Sequence, residues 1–264
     1  MGDRPTDQYL PRLTDKRCLI TGGSRGLGLT MCTVFARAGA RVAFTYSRDD
    51  ECAEDAVRAI AQAATGSGRS GDGYEVPVFK GSVADAGHVK ATVSALLRTW
   101  GGIDVLVNNA AINQIYPLAL LEEEDWDQVM DVNVKGPYLF SRAVVKHMIR
   151  AKRGHILNIG SFASERMIES PLHYATAKSA LRGMTEALAM AVGKHGVTVN
   201  LLAPGLLDIG MSTMLPRRTT NDYLAQSAMA RLGRAEDVAH MAAYLVSDDN
   251  SFMTGAKLVL DGGL

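Results

Sequence analysis

The chain is poor in cysteine and has no excess charge of either sign. Its 264 residues include three cysteines, Cys18, Cys32 and Cys52, which form no CxxC pair and have no histidine at metal-ligand spacing. The six histidines are scattered and form no HExxH motif. We therefore expect no metal site, and we interpret the cysteines as small residues of a reducing compartment.

Charge and hydropathy exclude two further classes. The chain has 28 basic residues (lysine and arginine) and 28 acidic residues (aspartate and glutamate), so its formal net charge is zero. Nothing in this balance favours nucleic acid or an anionic membrane as partner. No stretch approaches the roughly 18 apolar residues of a membrane span. The polar N-terminus, with Pro5 and Pro11, lacks the apolar core of a signal peptide. We expect a soluble cytoplasmic protein with a flexible arm over residues 1–15.

Apolar and amphipathic stretches alternate along the rest of the chain. We predict strands at 17–21, 41–46, 75–80, 103–107, 155–160, 197–203 and 257–260, and helices at 29–38, 50–64, 83–100, 126–149, 174–195 and 237–247. This order predicts one α/β domain over 16–264, a doubly wound parallel sheet of about seven strands with helices on both faces. The glycine-rich stretch 65–73 is interpreted as a flexible surface loop, and 206–230, which has no clear period, as a mobile lid.

A glycine-rich turn joins the first strand to the first helix. Gly22, Gly26 and Gly28 permit a tight turn and a close backbone approach to a pyrophosphate. The new helix would direct its free N–H groups and the positive end of its dipole at that anion. The spacing is Gly-x-x-x-Gly-x-Gly rather than GxGxxG, and an ordinary glycine turn stays the alternative.

The end of the second strand indicates which dinucleotide binds. An acidic residue there would accept hydrogen bonds from the 2′-hydroxyl of NAD, but the chain has Tyr46, Ser47 and Arg48 instead. With Arg25 of the glycine turn, these residues offer two guanidiniums and a hydroxyl to a 2′-phosphate. We predict NADP(H). Two adjacent aspartates weaken this prediction, and an Arg48 that only caps a surface turn is the alternative.

A possible proton-transfer site follows from Ser161, Tyr174 and Lys178. Tyr174 and Lys178 are four residues apart and share one helix face, and Ser161 ends an apolar strand. The trio suits moving a proton on or off a carbonyl oxygen, because a nearby ammonium lowers the pKa of a phenol from about 10. A Tyr-x-x-x-Lys pair alone is more often a surface pair. Here the glycine turn, Asn109, Ser161 and Pro204 all fall at carboxyl ends of strands, which favours one shared site.

Asn133 lies in the predicted helix 126–149, just before Gly136 and Pro137. Pro137 should kink or restart that helix because it lacks a backbone donor. The spacing alone leaves open whether Asn133 has a chemical role or only accompanies the distortion.

Together, TGGSRGLG at 21–28, NNAA at 108–111, Asn133, Ser161, YATAK at 174–178 and Pro204-Gly205 resemble the short-chain dehydrogenase/reductase family, in order from about residue 15 to the end. The resemblance implies a single Rossmann-type domain. It implies that Tyr174 is the general acid, that Lys178 binds the nicotinamide ribose and lowers the pKa of the phenol, and that Ser161 polarises the carbonyl. It further implies that Asn133 holds a water that links Lys178 to solvent.

The cofactor contacts form a second set. Those assigned from the residues and from the resemblance are Gly22, Ser24, Arg25, Gly26, Leu27, Gly28, Tyr46, Ser47, Arg48, Ser82, Val83, Asn109, Ala110, Ala111, Tyr174, Lys178, Pro204, Gly205 and Leu207. The chain departs from the family pattern at Ser82, where an aspartate is usual, and at Ile209, where a threonine is common.

Within the family, RLGRAEDV at 231–238 and TGAKLVLDGG at 254–263 resemble the 3-oxoacyl-(acyl-carrier-protein) reductases. This resemblance implies NADPH-dependent reduction of a carrier-bound 3-oxoacyl thioester, of fatty-acid or polyketide type, by a homotetramer. It also implies that an acidic acyl carrier protein docks at Lys152, Arg153, Lys194 and His195, although simple solvation would explain these bases equally well. Two alternatives stay open: an oxidoreductase of a small diffusible alcohol or ketone, such as a sugar or steroid, and a dinucleotide-binding sensor without turnover.

Overall fold

The computed structural model describes residues 10–65 and 74–264, whose strands form one parallel sheet. Its order is β3-β2-β1-β4-β5-β6-β7. The strands are β1 (Arg17–Thr21), β2 (Arg41–Tyr46), β3 (Val78–Lys80), β4 (Val105–Asn108), β5 (Gly154–Ile159), β6 (Val197–Pro204) and β7 (Lys257–Leu260). The order reverses between β1 and β4, and such a switch point opens a crevice at the carboxyl ends of the strands. The predicted doubly wound sheet is confirmed.

Helices cover both faces of the sheet. They are α1 (Gly26–Arg37), α2 (Asp50–Thr65), α3 (Ala86–Trp100), α4 (Glu123–Met130), α5 (Gly136–Ala151), α6 (Leu172–Val192), α7 (Arg217–Gln226) and α8 (Ala235–Leu245). One apolar core lies under α1, α2 and α8, and a second under α3, α5 and α6. Strands β4 and β5 are buried along their whole length, because both of their faces pack against helices.

Two predicted elements begin or end at other residues in the structure than the sequence indicated. The predicted helix 126–149 is two helices, α4 and α5, joined by a π-helical turn at Asp131–Lys135. Pro137 is the second residue of α5, so its missing N–H falls where the chain leaves the π-helical turn. The third strand begins at Val78 rather than at residue 75, because Pro77 cannot donate a ladder hydrogen bond.

The predicted flexible arm is only partly within the described residues. Residues 1–9 lie outside them, but Leu13 is fully buried and its backbone N–H donates to the carbonyl of Ala38 over 2.9 Å. The backbone N–H of Asp15 donates to Gly39 over 3.0 Å. The assignment of residues 10–15 to the arm was therefore wrong, because an apolar side chain in a polar stretch joins the core.

The two other irregular segments have different outcomes. Most of the predicted loop 65–73 lies outside the described residues. The predicted lid 206–230 contains a short 3₁₀ turn at Gly210–Met214 and the helix α7. Within the described part of the chain, no helix is both long and apolar enough to cross a membrane.

Candidate active site

A cleft of about 1490 Å³ opens along the carboxyl ends of the strands. It exceeds the roughly 300–1,000 Å³ of a drug-sized pocket, so it has room for a ligand larger than a drug-sized molecule. The predicted residues that line it are Gly22, Ser24, Arg25, Gly26, Leu27, Gly28, Tyr46, Ser47, Arg48, Ser82, Val83, Asn109, Ala110, Ala111, Ser161, Tyr174, Lys178, Pro204, Gly205 and Leu207. Of the predicted catalytic and cofactor-binding residues, Asn133 alone is not part of this lining.

The glycine turn has the geometry that a pyrophosphate requires. Helix α1 begins at Gly26 with no side-chain cap and no acidic residue in its first turn, so its free N–H groups are available to an anion. Gly26 has a φ of +55°, and no atom of the described residues lies within 4 Å of the position that a Cβ would take. A Cβ on Gly28 would lie 2.0 Å from the carbonyl oxygen of Gly22. The turn therefore fits a dinucleotide.

Asn109 supports this turn from the neighbouring strand. Its side-chain amide donates to the backbone carbonyls of Thr21, over 2.9 Å, and Gly22, over 3.2 Å. The Thr21 hydroxyl oxygen accepts from the backbone N–H groups of Asn109 and Ala110, each over 3.0 Å. Sequence reasoning missed Thr21, which joins the ends of β1 and β4.

Two exposed guanidiniums lie in the cleft, that of Arg25 in the glycine turn and that of Arg48 just after β2. The Tyr46 hydroxyl donates to Asp50 over 2.7 Å, and Lys80 binds the other carboxylate oxygen over 2.7 Å. The phenolic proton is therefore already used, and Ser47 is the hydroxyl that a phosphate could use. Lys80 also compensates Asp50, one of the two aspartates that had weakened the NADP(H) prediction, and this pairing across 30 positions had no sequence signal.

The proton-transfer trio is assembled at the carboxyl end of β5. Ser161, Tyr174 and Lys178 are all buried. The Ser161 side chain caps a 3₁₀ turn by accepting from the backbone N–H of Ala163 over 3.2 Å. Lys178 Nζ donates to the carbonyl of Ile159 over 2.8 Å and lies 5.7 Å from the centroid of the Tyr174 ring.

Burial shifts the pKa values of Tyr174 and Lys178 in opposite directions. It raises the pKa of Tyr174, and a hydrogen bond with Ser161 opposes that shift. It lowers the pKa of Lys178 to about 8. The predicted lowering of the Tyr174 pKa by the ammonium is wrong for this structure, because burial dominates and Lys178 directs its hydrogen bond at Ile159.

Asn133 lies in the π-helical turn, behind the cleft wall, and is buried. Its Oδ1 accepts from the backbone N–H of Ile112, and its Nδ2 donates to the carbonyl of the same residue, each over 2.9 Å. Single π-turns often mark functional sites. The Asn133 side chain is fully engaged with the chain that follows β4, so it is not directed at Lys178.

Further residues line the cleft that sequence reasoning did not identify. They include Ile112, Asn113, Gln128, Ile159, Phe162, Met167, Ile168, Leu206, Leu215, Tyr223 and Leu264. Most are apolar, and Ile168, Leu215 and Leu264 pack with Phe162, Leu206 and Tyr223 in one cluster. The sequence pointed only to two segments without a readable pattern, the stretch 206–230 and the loop from Phe162 to Leu172, and to no single residue in them.

The four bases predicted to bind a carrier protein lie at the opposite edge of the sheet. Lys152 and Arg153 precede β5, and Lys194 and His195 precede β6. A Cβ on Gly196 would lie 2.4 Å from the carbonyl of Lys152, so the two pairs are adjacent. Ser161 follows the far end of β5, a strand of 6 residues, which corresponds to about 20 Å.

The known proteins that this chain resembles are named as reductases, which agrees with a cleft that fits a dinucleotide. A family model described as enoyl-(acyl carrier protein) reductase matches residues 22–264. The 3-oxoacyl-(acyl-carrier-protein) reductase of Thermotoga maritima is 33% identical over 253 residues, 96% of this chain and 99% of its own length. Its namesake from Chlamydia trachomatis is 34% identical over 252 residues, 96% of this chain and 98% of its own.

Solved structures show the same likeness. A short-chain dehydrogenase from Burkholderia cenocepacia, solved in complex with NADP, has a TM-score of 0.85 and 33% identity, with 96% of this chain and 98% of that chain covered. A short-chain dehydrogenase/reductase variant from Serratia marcescens has a TM-score of 0.86 and 32% identity, with 95% and 98% covered. With a family match over nearly its full length, the chain belongs to the short-chain dehydrogenase/reductase family.

Proposed function

We propose that this protein is an NADPH-dependent reductase of 3-oxoacyl thioesters, with the acyl group bound to a carrier protein. The observation that carries the proposal is the assembly of Ser161, Tyr174 and Lys178, which are buried together in the wall of a dinucleotide cleft with the Tyr174 phenol protonated. A protonated phenol is the form that a general acid needs. The curated relatives of near-equal length, named as 3-oxoacyl-(acyl-carrier-protein) reductases, support the same substrate class.

Each catalytic residue has a proposed role in this reduction. When bound, NADPH supplies the hydride that adds to the carbonyl carbon. Tyr174 donates its proton to the carbonyl oxygen, and the Ser161 hydroxyl polarises that oxygen. Lys178, with a pKa of about 8, can both carry and release a proton near neutral pH, so it can reprotonate the phenolate and bind the nicotinamide ribose. Because the Asn133 side chain is engaged with Ile112, a water held by this residue would bind its backbone carbonyl.

The first test is turnover of an acetoacetyl thioester with NADPH and NADH compared side by side. We expect rapid oxidation of NADPH, and Tyr174→Phe should lose about 10² to 10⁴ in rate, the usual contribution of a positioned acid. Tyr244→Phe, which alters a tyrosine on the distant α8, is the matched control. A crotonyl thioester tests reduction of a carbon–carbon double bond.

Two outcomes would contradict the proposal. Turnover of crotonyl but not acetoacetyl thioester would identify an enoyl reductase. NADPH binding without turnover of either thioester would favour a small diffusible alcohol or ketone as substrate.

The cofactor is NADP(H), with the 2′-phosphate bound by Arg25, Ser47 and Arg48. The two exposed guanidiniums in the cleft support this assignment, as does the relative solved with NADP. Arg48→Ala should weaken NADPH binding and hardly change NADH binding, because only the phosphorylated cofactor presents a 2′-phosphate. Titration of both cofactors by fluorescence checks this, and equal losses for the two would contradict it.

We also propose that the acyl carrier protein docks at Lys152, Arg153, Lys194 and His195. Their mutual proximity supports a basic surface, although Arg153 lies 3.3 Å from Asp104. Since this surface and the cleft are on opposite edges of the sheet, a docked carrier must reach around the subunit or serve a neighbouring one. Lys152→Glu with Lys194→Glu should impair a carrier-bound substrate and spare a small thioester. Unchanged activity on both would contradict the docking proposal.

A homotetramer formed through α5, α6 and β7 is the proposed assembly. Exposed apolar side chains on or near these elements support it, namely Tyr138, Met190 and Phe252. The proposed compartment is the reducing cytoplasm, which fits the free thiols of Cys18, Cys32 and Cys52.

A further inference from the structure

Two ion pairs join the segment after Ser161 to the last strand and its end. Glu165 Oε2 lies 2.5 Å from Lys257 Nζ, and Arg166 places Nε and Nη2 each 3.0 Å from Asp261 Oδ2. The two carboxylate side chains are only 3% and 6% exposed. Because they are shielded from solvent, such pairs contribute more to the free energy of unfolding than surface pairs do. Leaving one of these carboxylates unpaired therefore destabilises the protein more.

Asp261 is also bonded to the predicted lid. Its backbone carbonyl accepts from the Tyr223 hydroxyl of α7 over 2.6 Å, and its Oδ1 accepts from the backbone N–H of Gly263 over 3.0 Å. The carbonyl of Gly262 accepts from the Ser227 hydroxyl and from the backbone N–H of Met229, each over 3.0 Å. The end of the lid is therefore held by the segment Asp261–Leu264, and Arg166 holds that segment through Asp261.

The elements that this network joins form one apolar wall of the cleft. Phe162, the residue after Ser161, packs edge-on against Tyr223 with ring centroids 5.5 Å apart and an interplanar angle of 81°. Leu264 packs against the same cluster, and all three side chains line the cleft. The wall thus draws one side chain from each of three separate parts of the chain, so its shape depends on what holds them together.

We propose that Arg166 and Asp261 are positioning residues that set the selectivity for acyl chain length. Their ion pair ties the segment after Ser161 to the lid and so fixes the wall of Phe162, Tyr223 and Leu264. The acyl chain of the substrate packs against this wall. The identity of that chain rests on the proposed function, whereas the link between the two segments does not.

The first experiment measures the link without any substrate. Hydrogen–deuterium exchange of the peptide spanning 215–230 is compared among wild type, Arg166→Met and Arg166→Lys. Arg166→Met keeps the aliphatic length and removes the charge, so exchange should be faster. Arg166→Lys, which restores a charge, should recover part of the protection. Arg58→Met is the matched control, because Arg58 pairs with Asp55 on the exposed surface of α2.

Unchanged exchange in Arg166→Met would overturn the proposal. Because this variant leaves a buried carboxylate without its partner, the double variant Arg166→Met/Asp261→Asn is measured beside it. The double variant removes both charges, so no buried carboxylate is left unpaired to destabilise the fold. Faster exchange confined to 215–230 in the double variant supports the link, and wild-type exchange there overturns it.

The second experiment reads selectivity. Rates are measured on acetoacetyl and 3-oxooctanoyl thioesters, with NADPH affinity determined separately. In Arg166→Met the ratio of the two kcat/KM values should change about three- to ten-fold, mainly through KM, since the wall binds the chain and not the reacting atoms. NADPH affinity should match wild type. An unchanged ratio would overturn the selectivity role. If the wild-type enzyme is inactive on both thioesters, the proposed function is overturned, and the hydrogen–deuterium exchange experiment alone tests the link between the two segments.

Discussion

At the scale of single residues, burial does most to set the chemistry of the site. Tyr174 and Lys178 both lose contact with water, and both therefore favour their neutral forms, with the pKa of the phenol raised and that of the amine lowered to about 8. The phenol thus retains the proton that carbonyl reduction requires, and the amine can exchange one near neutral pH. The four-residue spacing predicted that they are neighbours, but the direction of the phenol shift depends on the surrounding strands and helices.

His155 shows the same effect away from the cleft, at the amino end of β5. Its Nδ1 lies 2.9 Å from the Thr198 hydroxyl, and its Nε2 lies 3.8 Å from a carboxylate oxygen of Asp248. Burial, helped by Lys16, lowers the pKa of His155 to about 4 despite the opposing carboxylate. The imidazole is therefore neutral in the folded protein at pH values where the unfolded chain binds a proton.

This difference predicts how stability depends on pH. Between the unfolded pKa near 6.5 and the folded value of about 4, the unfolded state binds more protons, so the free energy of unfolding falls as the pH is lowered. The contribution of His155 approaches about 3 kcal/mol. Urea unfolding is measured at pH values from 7.5 to 4. Over this range the free energy of unfolding of His155→Gln should fall by about 3 kcal/mol less than that of wild type. A curve for His155→Gln that runs parallel to that of wild type would contradict the prediction.

At the scale of elements, caps and prolines set limits that periodicity alone does not. Helix α3 begins at Ala86, later than residue 83, because the Asp85 side chain accepts from the backbone N–H of Gly87 over 2.7 Å and caps it. Pro137 predicted an interruption of the helix 126–149, and α5 does begin anew at Gly136, but the π-helical form of the turn before it was not predicted. The positions of the strands and helices were nevertheless predicted well, because burial on one or both faces imposes a periodicity that the sequence displays.

The cap of α3 can be tested directly. Asp85→Ala leaves the first turn of the helix without its acceptor and should lower the free energy of unfolding by about 1 kcal/mol. The urea midpoint measures this. Asp55→Ala, which removes an exposed carboxylate inside α2, should change stability by no more than about 0.5 kcal/mol. An equal effect of the two substitutions would show that the cap contributes little.

At the scale of the whole molecule, an ion pair joins two neighbouring strands of the sheet that are far apart in the sequence. Arg17, at the start of β1, binds both carboxylate oxygens of Asp104 over 2.7 and 2.8 Å and donates to the carbonyl of Trp100. Although burial opposes it, Arg17 holds the pKa of Asp104 below its usual value. The pair fixes the end of α3 and the approach to β4 against β1.

Arg17→Met should therefore destabilise the protein by about 3 kcal/mol, because it leaves a shielded carboxylate without its main partner. Thermal and urea unfolding measure the loss. Lys16→Met is the matched control: its partner, Asp248, is 87% exposed, so the cost should stay below about 1 kcal/mol. Similar losses for both variants would mean that shielding does not distinguish the two pairs.

The sequence by itself determined the order of strands and helices, the glycine turn and the membership of the proton-transfer trio. These features depend on local periodicity and on residues close together in the chain. Only the tertiary structure decided that Lys80 compensates Asp50, that Lys178 bonds to Ile159 and that the basic surface lies opposite the cleft. The pairing of Arg166 with Asp261, 95 positions apart, belongs to the same group. Such contacts depend on how separate elements pack, and packing brings together residues whose spacing in the sequence has no period.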